Sequence, residues 1–594
     1  QYNPGNSENN SLTFNLISQQ IQLLGKQIAM LQNGNSPQGL ESMHSPVQSP
    51  TVNTDNKTRI VPTANADTRT DAEKLEHKKP FGASPKIDNN TSDLGSAQRD
   101  YMNQLIDRYT KKTASSKSYA QKHRKQMADP RVVSGFKPLT KEMVYPLVIE
   151  KSSGNRLWDI DGNEYIDALN GFGSCFFGHQ PEFIKEALHD QIEHGFEVGP
   201  QHPLAGEVCE LLCEFTGHDR AALCNTGSEA VLGAMRIART VTGRSLIVAF
   251  TGAYHGINDE ALVRGSQKKK TFPAAAGIQP EAVQNMLILD YGTQESLEII
   301  RDRADELAAV LVEPVQSRRP EFQPVEFLKE LREITTDSGT AFIFDEVITG
   351  FRMHPGGAQA LFGIVADLAT YGKVMGGGLS IGAIIGKRKF MDALDGGFWQ
   401  YGDTSYPEVG VTYFAGTFVR HPLALAASKA SLTYMKEKGK GLQQGLNART
   451  ATLAADLNEI FQKRSLPLQI NYFGSLWRLK FNEEIPFGEL LFVLLRERGI
   501  HIWDGFPCFL TTSYNDEDIE KLKTDFAESC DELIHAGIFP ASAASAEGQS
   551  FKVNSKTLNT PPVPGAKLGR DEQGNPAWYL PSADDEQEYI KFEL

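Results

Sequence analysis

The chain has 594 residues, of which 40% are hydrophobic and 23% charged, and its formal net charge is -14. That length exceeds one ordinary domain, and the composition fits a globular protein diluted by polar linkers. The acidic balance argues against a nucleic-acid binder, whose footprint is basic. No apolar run is long enough to span a membrane, and no basic stretch followed by an apolar core opens the chain. The six cysteines (Cys175, Cys209, Cys213, Cys224, Cys508 and Cys530) are scattered. Cys209 and Cys213 share a helix face, but no second ligand pair follows, so buried thiols are expected, with no metal and no disulfide framework. This predicts a reducing, cytoplasmic compartment.

The chain opens on Gln1, which leads us to expect a piece cut or processed from a longer polypeptide. Residues 1–98 read as a linker. Within it, Phe14, Ile17, Ile21, Leu24, Ile28 and Leu31 form a short heptad stripe on a helix over 12–32. The following stretch to Ala97 is rich in Asn, Ser, Thr, Pro and Asp and reads as disordered. An N-terminal segment over 99–175 starts with a basic helix whose charges predict a solvated face. It continues into "PLVIEKSSGNRLWDIDGNEYIDALNG", where turn signals at Gly154-Asn155 and Asp161-Gly162 predict an antiparallel meander.

A large domain over 176–419 follows. Apolar strands at Ala221–Cys224, Leu246–Phe250, Ala308–Val312 and Ala341–Phe344 alternate with helical segments such as Glu229–Arg239 and Val325–Ser338. This pattern predicts an α/β fold with a mostly parallel sheet flanked by helices. A smaller C-terminal α+β domain is expected over 420–540, and 541–594 returns to linker composition with a Trp578-Tyr579 patch.

Four places in the α/β region carry chemistry. In "CNTGSEA" a strand runs into a helix start, where backbone N–H groups beside Gly227 and the Ser228 hydroxyl can cradle a phosphate. A serine at a helix N-cap, however, needs no ligand. In "FIFDEVITGF" the apolar strand drops into Asp345 at its carboxyl end, where ligands sit in open α/β sheets. Such a carboxylate suits a metal, a ribose hydroxyl or a protonated ring nitrogen, or simply caps a loop. In "DLATYGKVMGGGLSIGAIIG" Lys373 precedes three glycines among small apolar residues. An amine that such neighbours desolvate has a lowered pKa and can form an imine, whereas a lysine beside a flexible turn does neither. In "GAYHG" Tyr254 follows a strand and can stack on a planar ligand or sit at the core rim. A phosphate cradle, a stacking ring, a strand-end carboxylate and a glycine-flanked lysine, in that order on one scaffold, are what holding pyridoxal 5′-phosphate (PLP) requires.

From about 130 to 538 the chain resembles the class III, fold-type I aminotransferases, especially the glutamate-1-semialdehyde aminomutase branch. The strings that carry this are "WDIDGNEYID", "NTGSEA", "YHG", "VEPV", "FDEVITGFR", "DLATYGKVMGGGLSIGA" and "AGTF". The resemblance implies the following roles. Lys373 bonds to the cofactor and moves the proton. Asp345 pairs with the pyridine nitrogen. Tyr254 and Val347 lie on the two ring faces, and Gly227 and Ser228 hold the phosphate. Thr417 reaches the phosphate of a neighbouring subunit, which implies a homodimer with shared active sites. Two departures stand out. Arg420-His421 replaces the usual Gly-Asn after "AGTF", and Lys137 stands where a carboxylate-reading arginine is expected near the N-terminal arm. An ammonium cannot replace a bidentate guanidinium, which argues against strict mutase specificity.

The flanks resemble linkers of hybrid polyketide–nonribosomal peptide synthetases. The expected activity is therefore amino transfer from an amino-acid donor to a keto group of an acyl chain on an acyl or peptidyl carrier protein. The alternatives are a free-standing aminomutase or ω-aminotransferase acting on small substrates, and an inactive PLP-fold scaffold, against which the intact Lys373 and Asp345 argue.

Overall fold

The computed structural model describes residues 94–130, 136–266 and 269–540, with backbone strands at 567–570, 576–581 and 589–591. The heptad stripe and nearly all of the N-terminal linker lie outside the described residues.

An N-terminal meander is formed by β1 (Ile149–Ser153), β2 (Arg156–Asp159) and β3 (Glu164–Asp167). The central strands are β4 (Arg220–Cys224), β5 (Leu246–Phe250), a small hairpin of β6 (Val263–Gly265) with β7 (Thr271–Pro273), β8 (Met286–Leu289), β9 (Leu307–Val312), β10 (Ala341–Asp345), β11 (Leu368–Tyr371) and β12 (Gly382–Gly386). The C-terminal strands are β13 (Leu468–Phe473), β14 (Leu476–Phe481), β15 (Ile500–His501) and β16 (Cys508–Phe509).

The seven-stranded central sheet has the order β4-β12-β11-β10-β9-β5-β8. All its pairings are parallel except those of β12, which runs antiparallel to both β11 and β4. The expected mostly parallel sheet is therefore present, with one reversed strand inserted. Every residue of β9 and β10 is buried, which is why these strands read as unbroken apolar runs. Alternate residues serve opposite faces, the strand period of two. Val310, Val312, Phe342 and Phe344 enter one core layer, while Ala309, Leu311, Ala341 and Ile343 enter the other with the helix Gly227–Thr242.

The smaller unit combines both ends of the region. The strands β13, β14 and β16 form a three-stranded sheet, while β15 adds in parallel to β3 of the meander. The meander therefore belongs with the C-terminal strands, so a boundary at 175 does not separate it from the 420–540 region. The basic N-terminal helix Ser96–Lys112 keeps Arg108 and Lys111 on an exposed face, as expected, while its apolar face is docked. Arg108 Nε lies 2.9 Å from Glu497 Oε1, Lys112 Nζ donates to the Glu497 carbonyl, and Met102, Leu105 and Tyr109 are buried beneath. The tail read as linker contains an antiparallel sheet of β17 (Lys567–Arg570), β18 (Pro576–Pro581) and β19 (Tyr589–Lys591). The strand propensity of "AWYL" outweighs the surrounding linker composition there. Among the described residues, no helix is long and apolar enough to cross a membrane.

Candidate active site

The carboxyl ends of β4, β5, β9, β10 and β11 converge on one pocket of about 200 Å³. Its wall includes Gly227, Ser228, Tyr254, His255, Glu313, Asp345, Val347 and Lys373. Six of the residues singled out from sequence are thus brought together, each delivered by the turn that ends a buried strand.

The phosphate-cradle expectation meets a helix start of suitable form. Thr226 is the N-cap, its hydroxyl accepting from Glu229 N at 3.2 Å. Ser228 is therefore not needed as a cap. Its hydroxyl accepts from Ile257 N at 3.2 Å, and its carbonyl accepts from Asn258 Nδ2 at 2.6 Å, which fastens the helix start to the loop after Tyr254. Gly227 has no room for a side chain, because a Cβ there would lie 2.7 Å from Val347 Cγ1. The first-turn N–H groups and the positive end of the helix dipole suit an anion at this end of the pocket.

At the other end, Asp345 closes β10 and is 5% exposed. Its Oδ1 accepts from Val347 N at 3.1 Å and Thr370 Oγ1 at 3.2 Å, and its Oδ2 lies 2.8 Å from His255 Nδ1. The carboxylate is thus fixed in place, while His255 Nε2 is buried without a partner. Lys373 follows β11 in a left-handed conformation, φ 46°. Burial lowers its pKa, and the nearby charges of Asp345 and Glu313 oppose that only in part. A lowered pKa raises the fraction of free amine, the nucleophilic form. Burial also raises the pKa of Glu313, whose Oε2 accepts from Tyr254 N at 3.2 Å and whose Oε1 accepts from Ser317 N at 2.9 Å. This carboxylate holds the Tyr254 backbone at the pocket wall.

His255 and Glu313 were not picked out from the sequence, although both lie in matched strings, "YHG" and "VEPV". Beside each stood a stronger local signal, the ring of Tyr254 and the apolar run of β9.

Two residues singled out from sequence lie elsewhere. Lys137 forms an ion pair with Glu489 and sits 4.9 Å from the Phe487 ring centroid, away from the pocket wall. Thr417 is exposed, outside the pocket lining, in a segment that also exposes Phe398, Tyr401, Tyr413 and Phe418. The nearby His421 caps the helix Pro422–Lys438, its ring accepting from Leu423 N at 3.3 Å.

A family model described as class-III aminotransferase matches residues 139–513. Among curated proteins, the glutamate-1-semialdehyde 2,1-aminomutase of Desulfitobacterium hafniense is 34% identical over 408 residues, covering 65% of this chain and 91% of that protein. The aminomutase of Archaeoglobus fulgidus is 33% identical, covering 67% and 94%. Among solved structures, one described as a transaminase with PLP bound superposes with a TM-score of 0.64 at 28% identity, covering 72% of this chain and 99% of that one. A β-phenylalanine aminotransferase from Variovorax paradoxus gives a TM-score of 0.63 at 26% identity, covering 75% and 100%.

Proposed function

Because the chain belongs to the class III aminotransferases, a PLP-dependent family of fold-type I, we propose that its pocket transfers an amino group from an amino-acid donor to a keto group of an acyl chain held as a carrier-protein thioester. The observation that carries the catalytic part is the convergence of the Lys373 amine and the fixed Asp345 carboxylate on one pocket whose opposite end is the start of the helix Gly227–Thr242. Bound PLP supplies the electron sink for the bonds of the amino-bearing carbon. The protein does the rest. Lys373 holds the cofactor and carries the proton between the reacting carbons. Asp345, anchored by His255, Thr370 and the Val347 amide, keeps the ring nitrogen protonated. Tyr254 and Val347 would lie against the ring of bound PLP, and Gly227 and Ser228 would hold its phosphate.

The second subunit enters through Thr417. Its exposed segment, rich in aromatic residues, supports burial against a second copy, where Thr417 reaches the neighbour's phosphate. The carrier-bound acceptor is supported by the state of Lys137. That side chain is neutralised by Glu489, so the place expected to read an acceptor carboxylate offers no free cation, and a thioester has no carboxylate to read. The linker-like composition of residues 1–98 suits a module of a longer assembly.

The test offers the holoenzyme a keto-acyl carrier protein and the matching free keto acid, each with a nitrogen-15-labelled donor. Mass spectrometry is expected to find label mainly on the phosphopantetheine-linked chain. A higher kcat/KM for the free acid overturns the carrier-bound acceptor and favours the small-substrate reading, which the aminomutase relatives support.

A further inference from the structure

Four consecutive residues after the meander, Asn170–Gly173, are left-handed, with φ of 46°, 60°, 54° and 92°. Glycine takes this conformation freely and asparagine tolerates it, but a phenylalanine does not, so Phe172 is held against its own preference. Asn170 Nδ2 donates to Asp167 O at 2.6 Å and to Phe509 O at 2.8 Å, and the buried Arg352 donates to Gly173 O. A Cβ on Gly173 would lie 3.0 Å from the Phe509 ring, so the turn is clasped directly onto β16. Strain of this kind survives only where neighbours impose it, and it gathers at ligand clamps.

The turn sets Phe172 against two rings from the loop ahead of β16. Its ring centroid lies 5.6 Å from that of Trp503 and 5.4 Å from that of Phe506, and Trp503 and Phe506 are 5.6 Å apart. All three are half-buried, so the cluster keeps part of its apolar surface in solvent. Phe509, under the turn, shares a small core cluster with Ile348, and Ile348 lines the pocket of Lys373. The three rings therefore stand beside that pocket, joined to its wall through Phe509. Aromatic rings offer a large apolar area at small entropic cost, which suits an alkyl or aryl chain and gives little to a carboxylate.

We propose that Phe172, Trp503 and Phe506 form the subsite that takes the apolar tail of the acceptor's acyl chain. This rests on the acyl-acceptor reading of the Lys373 pocket and adds the substrate class to it: chains long enough to carry apolar carbons from the keto group to the three rings.

The probes are the N-acetylcysteamine thioesters of decanoic and butanoic acid, which carry no keto group to aminate. They are titrated calorimetrically into the wild-type holoenzyme and into Phe172→Gly, Trp503→Ala and Phe506→Ala holoenzymes. Phe172→Gly removes the ring at a backbone position that glycine prefers, so it leaves the turn intact. Each buried methylene strengthens binding roughly 4-fold, so the extra methylenes of the decanoyl probe, partly covered, are expected to make it bind the wild type roughly 100-fold more tightly than the butanoyl probe. That ratio should fall about 10-fold or more in each variant. In parallel, the ratio of kcat/KM for 3-oxodecanoyl to that for 3-oxobutanoyl carrier protein should fall by a similar factor. A wild-type ratio near one, or a ratio that no variant changes, overturns the subsite and leaves the aminotransferase reading intact. A loss equal for both chain lengths makes the rings packing alone and overturns it too. If decanoyl binding depends on the three rings but no keto-acyl chain is aminated by the wild type, the subsite stands and the acyl-acceptor reading falls.

Discussion

Gly256 packs against Ser228 at the helix start proposed to hold the phosphate, and replacing it with alanine separates two costs. Its backbone has φ +94°, a conformation that an L side chain adopts at a cost of about 1–2 kcal/mol. A Cβ would also lie 2.4 Å from Ser228 Oγ and 2.9 Å from both Ser228 Cα and Cβ. The hydroxyl can rotate away, but the Cα cannot. The start of the helix must shift, taking the Gly227 and Ser228 N–H groups with it. Overpacking of this kind adds about 1–3 kcal/mol, for a total of roughly 2–5 kcal/mol. Gly277 supplies the control. It has φ +91° but open space where a Cβ would be, so Gly277→Ala incurs only the backbone term. The assay is urea unfolding of the cofactor-free proteins, together with PLP dissociation constants from absorbance titration. Gly256→Ala should lose more stability than Gly277→Ala, and it alone should bind PLP about 10-fold or more weakly, the cost of one misplaced contact to a charged group. If the two variants match in both measures, the helix start is not held in position by the Gly256 loop, and the cradle argument fails.

Asp345→Asn keeps the volume and the contact with Val347 N but removes the charge and puts an amide NH2 opposite His255 Nδ1. Transamination should fall by on the order of 100-fold or more with the fold intact, and a near wild-type rate in a stopped-flow half-reaction would remove Asp345 as the ring-nitrogen partner. Mixed dimers of a Lys373→Ala chain and a Thr417→Ala chain should contain one site with both lesions and one with neither. Recovery of about half the wild-type activity is expected, whereas no recovery places Thr417 in its own subunit's site. The buried Asp167, with Oδ2 2.8 Å from His179 Nε2 and Oδ1 3.0 Å from His501 Nδ1, predicts a pH dependence of stability. Burial works against both charged groups, but hydrogen bonding outweighs it, so the Asp167 pKa lies well below the usual carboxylate range and that of His179 rises to about 10. The carboxylate term is present above its unfolded pKa of about 4 and is lost as pH falls. The imidazolium term is complete below an unfolded pKa of about 6.5 and is lost as pH rises toward the folded value. The stability difference between wild type and Asp167→Asn should therefore be largest between about pH 4 and 6.5 and shrink toward pH 10, and a flat difference across that range refutes the pairing.

The central fold was legible where local sequence and tertiary environment agree. Apart from Arg220 at the start of β4 and Asp345 at the end of β10, the strands β4, β5, β9 and β10 are apolar because helices cover the sheet, and their expected bounds differ from the observed ones by at most one residue. The reversed strand β12 was not legible. Gly382–Gly386 is bounded by glycine and follows the Lys373 turn, so it reads as loop, and only its pairing with β11 and β4 makes it a strand. The two-residue strand β15 has no periodicity of its own and exists through its pairing with β3. The docked basic helix illustrates the same limit. Its lysines and arginines carry no mark of the acidic partners at Glu497 and Glu532, which lie far along the chain.

The site divides in the same way. Gly227, Ser228, Tyr254, Asp345, Val347 and Lys373 each lie at the end of a strand or within four residues after it, so one linear rule, that ligands gather at carboxyl ends of parallel strands, finds them without contact information. A cation suited to reading a carboxylate would follow no such rule, because it could enter the pocket from any element. Position near the N-terminal arm suggested Lys137, yet the fold gives that lysine a carboxylate partner of its own in Glu489. Arg478 drew no notice inside the strand "LWRLKF", where an alternating polar residue is unremarkable. Folding buries its Nη1 without a hydrogen-bond partner. Which donors lose their water is decided by the fold and not by the local sequence, so a buried unpaired group of this kind leaves no mark in the motif around it.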